Sequence, residues 1–240
     1  MPKLPPALHV SVTVLWVSLA VLQCYQQDWP NLGDRFSTAI TTSPTRTGSW
    51  TAGAVGAVVA SGVVLLVGGC ASGFFVYKRR FSLGLLVGAG IIDFLEECLF
   101  RALLLPGAAG AAGSRSDGGG SDDGAAGATA VDLGLALFIF IIYHLDVFHY
   151  QEAAPHFAAV FKDWRFMLII APCLGVGTAG LFVGSGGSLW APVIGHCCGL
   201  WLWLFLMGGM DRLEGIDPAG EEADNAAAQE SKTLVSTGAV

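Results

Sequence analysis

Charge is what this sequence has least of. Lys, Arg, Asp and Glu make up 13% of its 240 residues, about half of the ~25% that a soluble domain carries. Too few charged side chains remain to coat a water-facing globule. Basic residues are the scarcer kind, 12 Lys and Arg against 19 Asp and Glu, and they form no stripe or patch. That excludes a nucleic-acid footprint, and with it a nucleic-acid partner. Cys-x-x-Cys pairs are absent as well. The six cysteines, Cys24, Cys70, Cys98, Cys173, Cys197 and Cys198, lie in or beside apolar runs. They read as small packing residues, not as a secreted disulfide framework or a zinc ribbon.

Apolar length is what the sequence does have. Hydrophobic residues make up 53% of the chain, and glycine, frequent in membrane helices, occurs 33 times. A spanning helix needs about 20 apolar residues, and six stretches qualify or nearly do. They run over about 8–24, 50–77, 81–105, 131–149, 166–184 and 189–207. The first is short, of signal-peptide length, but ends in Gln23-Cys24-Tyr25 without an evident cleavage site, so a retained short span is expected. In the second, Gly53-Ala-Val-Gly56 and Gly68-Gly69 predict close approach of a neighbouring helix. The expected fold is therefore all-α: a polytopic transmembrane helical bundle of about six spans.

The intervening segments divide the chain into zones. Residues 1–49 hold the short first span and a polar loop. Residues 50–209 form the membrane core, interrupted at 107–128 by a Gly, Ala, Ser and Asp stretch that reads as a flexible linker. Phe157–Phe161 could lie along the membrane interface as a short helix. Residues 210–240 read as a disordered acidic tail that supplies most of the net charge of −7.

Ionisable residues inside apolar spans are costly, about 2.5–3.5 kcal/mol each at the centre of a helix. They nevertheless cluster here. Asp93, Glu96, Glu97 and Arg101 share the third span, with Glu97 and Arg101 four apart on one face. His144 lies in the fourth span and His196 in the sixth. A buried ion pair would explain Glu97 with Arg101, and carbonyl-bonded packing would explain either histidine, but Glu96 has no opposite charge of its own. Together the groups suit hydrolysis: a desolvated carboxylate as general base, one imidazole sharing the water, a second polarising the carbonyl oxygen. Glu96, His144 and His196 would also make a zinc ligand set.

Three motifs carry a family resemblance. Glu96-Glu97-Cys98-Leu99-Phe100-Arg101 resembles the EExxxR motif of the CPBP intramembrane proteases, glutamic-type endopeptidases that include the type II CAAX prenyl proteases and Abi relatives linked to bacteriocin self-immunity. Phe140-Ile-Ile-Tyr-His144 is similar to the FxxxH motif of that family. Leu189-Trp190-Ala191-Pro192-Val193-Ile194-Gly195-His196 looks like its third motif. The resemblance covers about 82–209. It implies that Glu96 activates water, that His144 and His196 complete the site, and that Glu97, Arg101 and Phe140 support it. No cofactor is implied, and catalysis would depend on glutamate rather than on bound metal. The implied partners are the lipid bilayer and a membrane-associated protein or peptide, prenylated in the CAAX branch. One position departs: Leu200 stands where the CAAX endopeptidases carry Asn four residues after the last His. Two other classes remain open on the residues alone, a non-catalytic membrane scaffold and a proton or ion pathway.

The basic residues predict topology. Lys3, Lys78, Arg79, Arg80, Lys162, Arg165 and Arg212 fall on one side of a six-span map, against Arg35, Arg46 and Arg115 on the other. By the positive-inside rule both ends face the cytoplasm or its equivalent. Single cysteine reporters at positions 3, 162 and 232 should label from one side of sealed vesicles and a reporter at 115 from the other. Labelling of 115 together with 162 would contradict the map.

Overall fold

A computed structural model of the chain describes residues 6–26, 31–45, 50–105, 130–150, 160–161 and 163–216. The 107–128 linker, the chain beyond 216 and most of 157–161 lie outside these residues. Among the described residues the fold is all-helical, with a single isolated bridge between Lys78 and Met207. Helices occupy all six expected positions. They are α1 (Pro6–Gln26), α3 (Ala52–Ala71), α4 (Leu83–Glu97), α5 (Ala130–Tyr150), α6 (Ala171–Gly184) and α7 (Trp190–Leu206). Two shorter ones join them, α2 (Leu32–Thr41) and α8 (Gly209–Leu213). By length and composition, three stretches can cross a membrane: His9–Gln26, Ala52–Ala71 and Phe166–Gly184, while Trp190–Leu206 is apolar but shorter.

Two helices contain π-helical stretches, and both have local causes or consequences. Cys98–Leu103 continues α4 as a π-helix, a wider turn that recurs at functional sites. Phe166–Ile170 is π-helical where the chain enters α6. Pro172 follows at the second position of α6, where its missing N–H and ring disfavour ordinary α bonding to the preceding turn.

Packing places α6 at the centre of the bundle, between α3, α5 and α7. Its small residues make the close approach. A side-chain carbon at Gly180 would lie 3.2 Å from the Ala54 carbonyl oxygen, and one at Gly177 would lie 3.3 Å from Ser61 Cβ. The expectation of close approach is met at Gly68, where a side-chain carbon would lie 2.9 Å from Ile169, but not at Gly53 and Gly56. Gly56 faces open space, and Gly53 meets only Thr51. The outer face of α3, with Val59, Val63 and Val67 exposed, is instead apolar surface suited to lipid.

Three other differences from expectation concern the ends of helices. The polar loop expected between the first two spans contains α2. Only Leu32, Phe36, Ala39 and Ile40 make its apolar stripe, too thin to stand out in a polar sequence. Its last carbonyls accept hydrogen bonds from the start of α7: Leu189 N–H to Ala39 O at 2.8 Å, Trp190 Nε1 to Ile40 O at 2.8 Å and Ser188 Oγ to Thr42 O at 2.7 Å. The second span stops at Ala71 rather than near Tyr77. Residues 76–80 run extended instead and donate from Val76, Lys78 and Arg80 to the carbonyls of Met207, Leu206 and Phe205. They thereby satisfy the C-terminal end of α7.

Nor does the acidic tail begin at 210. Gly208 takes a left-handed φ of 77°, the chain turns back, and Asp211 and Arg212 of α8 are buried. Asp211 Oδ1 lies 2.7 Å from Arg80 Nη1, and Arg212 donates to the Gly73 carbonyl at 2.7 Å. Part of the acidity thus neutralises the Lys78–Arg80 cluster locally.

The first helix is fastened to α5 by one buried carboxylate. Asp146 accepts from Trp16 Nε1 at 2.7 Å and Thr13 Oγ1 at 3.0 Å, and lies 2.8 Å from His9 Nδ1. Removing that acceptor takes away the partner of the half-buried Trp16 and His9 donors, up to about 1–3 kcal/mol per group. Asp146→Ala should therefore lower the thermal midpoint in detergent by several degrees. An unchanged midpoint would show that α1 is held by apolar contact alone.

Candidate active site

The two adjacent glutamates point in different directions because α-helical neighbours are turned by about 100° (3.6 residues per turn). Glu97 faces inward. Its Oε2 lies 3.1 Å from Arg101 Nε, and its Oε1 accepts from His196 Nδ1 at 2.8 Å. Both Glu97 and Arg101 side chains are 1% exposed. Arg101 is positioned in turn by α6: Nε donates to Thr178 Oγ1 at 3.1 Å, and Nη2 donates to the Gly175 carbonyl at 3.1 Å and to Thr178 Oγ1. The guanidinium also sits 5.5 Å from the centre of the Phe140 ring on α5. One buried charge pair therefore ties α4, α5, α6 and α7 together.

Glu96 faces α5. Its Oε2 lies 3.8 Å from His144 Nε2, and the Tyr143 hydroxyl reaches its Oε1 at 3.4 Å. Its side chain is 14% exposed. That difference from Glu97 decides which carboxylate a small molecule can reach. His144 Nδ1 makes a 2.8 Å hydrogen bond to the Phe140 carbonyl. A carbonyl only accepts, so Nδ1 carries the proton, and in the neutral ring Nε2 presents a lone pair toward Glu96. The spacing of Phe140 and His144 by four residues produces this bond: the ring nitrogen reaches back one turn.

His196 sits between two carboxylates of α4. Besides Nδ1 on Glu97, its Nε2 lies 3.7 Å from Asp93 Oδ1. Asp93 Oδ2 is buried and has no hydrogen-bond partner among the described residues. The sequence motifs thus bring Glu96 to His144 and, separately, Glu97 to His196 and Arg101. Both His196 nitrogens are turned toward carboxylates, Nδ1 in a hydrogen bond to Glu97 and Nε2 at 3.7 Å from Asp93. Among the described residues no group of three or more His, Cys, Asp or Glu is placed to hold a metal ion. Leu200, on the same helix as His196, packs against the apolar core and offers no polar group.

Four residues of this region carry no role in the motifs. Tyr143 lies inside the second motif, where only its neighbours are fixed. Thr178 is a lone hydroxyl in an apolar span, and Asp93 and Asp146 are lone carboxylates at membrane depth. Each was marked only by being polar where polarity is costly.

An apolar helical bundle with a charge network sealed at its centre defines a class: a polytopic membrane protein. The family model of the type II CAAX prenyl endopeptidase Rce1-like proteins matches residues 78–202, just over half of the chain. The chain belongs to this family. At family level it is a CAAX-protease-like intramembrane endopeptidase and an integral membrane protein, of a family acting on membrane-associated, prenylated proteins. The matched segment includes Glu96, Glu97, Arg101, Phe140, His144 and His196, but not α1, α2, α3 or α8. Comparisons with curated proteins and with solved structures give no match.

The two glutamates should respond differently to loss of charge. Glu97→Gln leaves Arg101 buried without its counter-ion, which costs about 3–5 kcal/mol. It should reduce the yield of folded protein and its thermal midpoint. Glu96→Gln should leave both near the parent values, since no cation depends on it. Equal stability of the two variants would contradict the assignment.

Proposed function

We propose that the protein hydrolyses peptide bonds in the membrane with water activated by Glu96. The observation that carries this reading is the facing pair of Glu96 Oε2 and His144 Nε2, 3.8 Å apart. That gap is too long for a direct hydrogen bond and leaves two acceptors open to one water molecule. Such a water donates one hydrogen to each. Glu96 takes its proton as the oxygen attacks, and His144 fixes the direction of attack.

Glu97, Arg101 and His196 act on Glu96 through the field and by holding α4 in register. Polarisation of the carbonyl by His196, the role its motif implies, would require Nε2 to turn from Asp93 to substrate. The substrate class that the family favours is a membrane-associated protein carrying a prenylated CAAX end. An alkyl chain on that substrate would keep the scissile bond at the depth of the helices.

The test is cleavage of a farnesylated CAAX peptide by the purified full chain in lipid. Glu96→Gln should lower kcat by about 10²- to 10⁴-fold, the range for loss of a general base, while the protein remains folded. His144→Ala should lose activity as well. Undiminished turnover by Glu96→Gln would overturn the reading.

A further inference from the structure

We infer that Tyr143 is a catalytic residue whose hydroxyl donates a hydrogen bond to the oxyanion formed when water adds to the scissile carbonyl. This rests on the glutamate-base reading above and adds a donor placed beside the base. Addition of water turns a carbonyl oxygen into an alkoxide, and in a dry site that charge needs a placed donor.

The candidates near Glu96 narrow in turn. Leu200 has no donor. Arg101 is sealed, with Nε directed at Glu97 and Thr178 and Nη2 at Gly175 and Thr178. His196 has Nδ1 hydrogen-bonded to Glu97, while its Nε2, 3.7 Å from Asp93 and beyond hydrogen-bond range, is a second donor that can turn to substrate. The Nδ1 proton of His144 is held by the Phe140 carbonyl. Among the described side chains, Tyr143 is the donor in contact with Glu96, on the same turn of α5 as His144 and reaching the other oxygen of the same carboxylate.

Its geometry suits the task. At 3.4 Å the contact with Glu96 Oε1 exceeds the usual 2.5–3.0 Å of an O–H···O bond. The hydroxyl therefore gives up little on turning to a better acceptor. Its ring, in contrast, is fixed. It packs edge-on against Trp16 with centroids 5.7 Å apart, lies 5.2 Å from Phe100, and stands at 89° to the His144 ring. Trp16 is itself anchored through Nε1 to Asp146. A helix outside the family-matched segment thus braces the donor, and a weakly held hydroxyl sits on a rigid arm beside the base.

The step balances as follows. Glu96 accepts a proton from water as the water oxygen bonds to the carbonyl carbon, and the π pair moves onto the carbonyl oxygen. The Tyr143 O–H donates to that oxygen and keeps its proton. Collapse re-forms C=O and breaks the C–N bond, and the proton on Glu96 passes to the leaving amine.

Tyr143→Phe keeps the ring contacts and removes the hydroxyl. With the full chain and a farnesylated CAAX peptide, kcat should fall by about 10²- to 10³-fold, the effect of losing one oxyanion donor, with KM little changed. A phosphonate analogue of the same peptide, a tetrahedral anion in place of the scissile amide, separates this role from an indirect one. Tyr143→Phe should weaken its binding by a factor comparable to the loss in kcat, whereas Glu96→Gln should not. Unchanged kcat in Tyr143→Phe overturns the inference. So does a fall in kcat with analogue affinity intact, which would make Tyr143 a positioning residue for Glu96. Full turnover by Glu96→Gln defeats the glutamate reading instead, and analogue affinity of Tyr143→Phe still decides the role of Tyr143.

Discussion

Burying an ion pair in an apolar bundle is tolerable only when both charges are fully engaged, because desolvation costs several kcal/mol per ion. The Glu97–Arg101 pair approaches that condition through a surrounding set of partners, with Glu97 Oε2 held by its 3.1 Å ion-pair contact with Arg101 and by no hydrogen bond among the described residues. Arg101 takes acceptors from α6, Glu97 takes the His196 proton from α7, and the Phe140 ring on α5 lies under the guanidinium. Each partner fixes the rotation of its own helix about its axis. The pair is therefore a register device for four helices, and Glu96 inherits its direction from it. With Glu97 turned inward, the residue before it, Glu96, faces α5 and meets Tyr143 and His144.

The rest of the fold serves backbone groups that lipid cannot satisfy. Helix ends are where such groups gather, and here they are closed by short pieces. Residues 76–80 take the last carbonyls of α7, α2 and the start of α7 satisfy each other, and α8 turns back onto the Lys78–Arg80 cluster. These pieces also place the site. The start of α7 sets the height of His196, and Trp190 packs on Phe94 of α4 with ring centroids 6.0 Å apart.

What the sequence revealed follows the same physics. Long apolar runs marked each principal helix, and the three motifs named Glu96, His144 and His196 because charged groups in apolar runs stand out. The division of labour between Glu96 and Glu97 was half legible: Glu97 and Arg101 share a face by spacing alone, but the partner of Glu96 depends on how α5 packs. Both ring nitrogens of His196 facing carboxylates could not be read at all, since Asp93 and Glu97 lie 103 and 99 residues from it, further along the chain than any local rule reaches. Helix α2 was hidden by its polar composition, α8 by its acidity, and the Asp146 clamp by lying across α1 and α5.

The central claim is that Glu96 delivers water to the scissile carbonyl and does not itself attack it. Single-turnover cleavage of a prenylated peptide in H₂¹⁸O reads this directly. The account predicts one solvent oxygen in every new carboxylate from the first turnover. A product carboxylate without the label, its oxygen taken from the protein, would contradict it, as would the absence of any cleavage by the folded full-length protein in lipid.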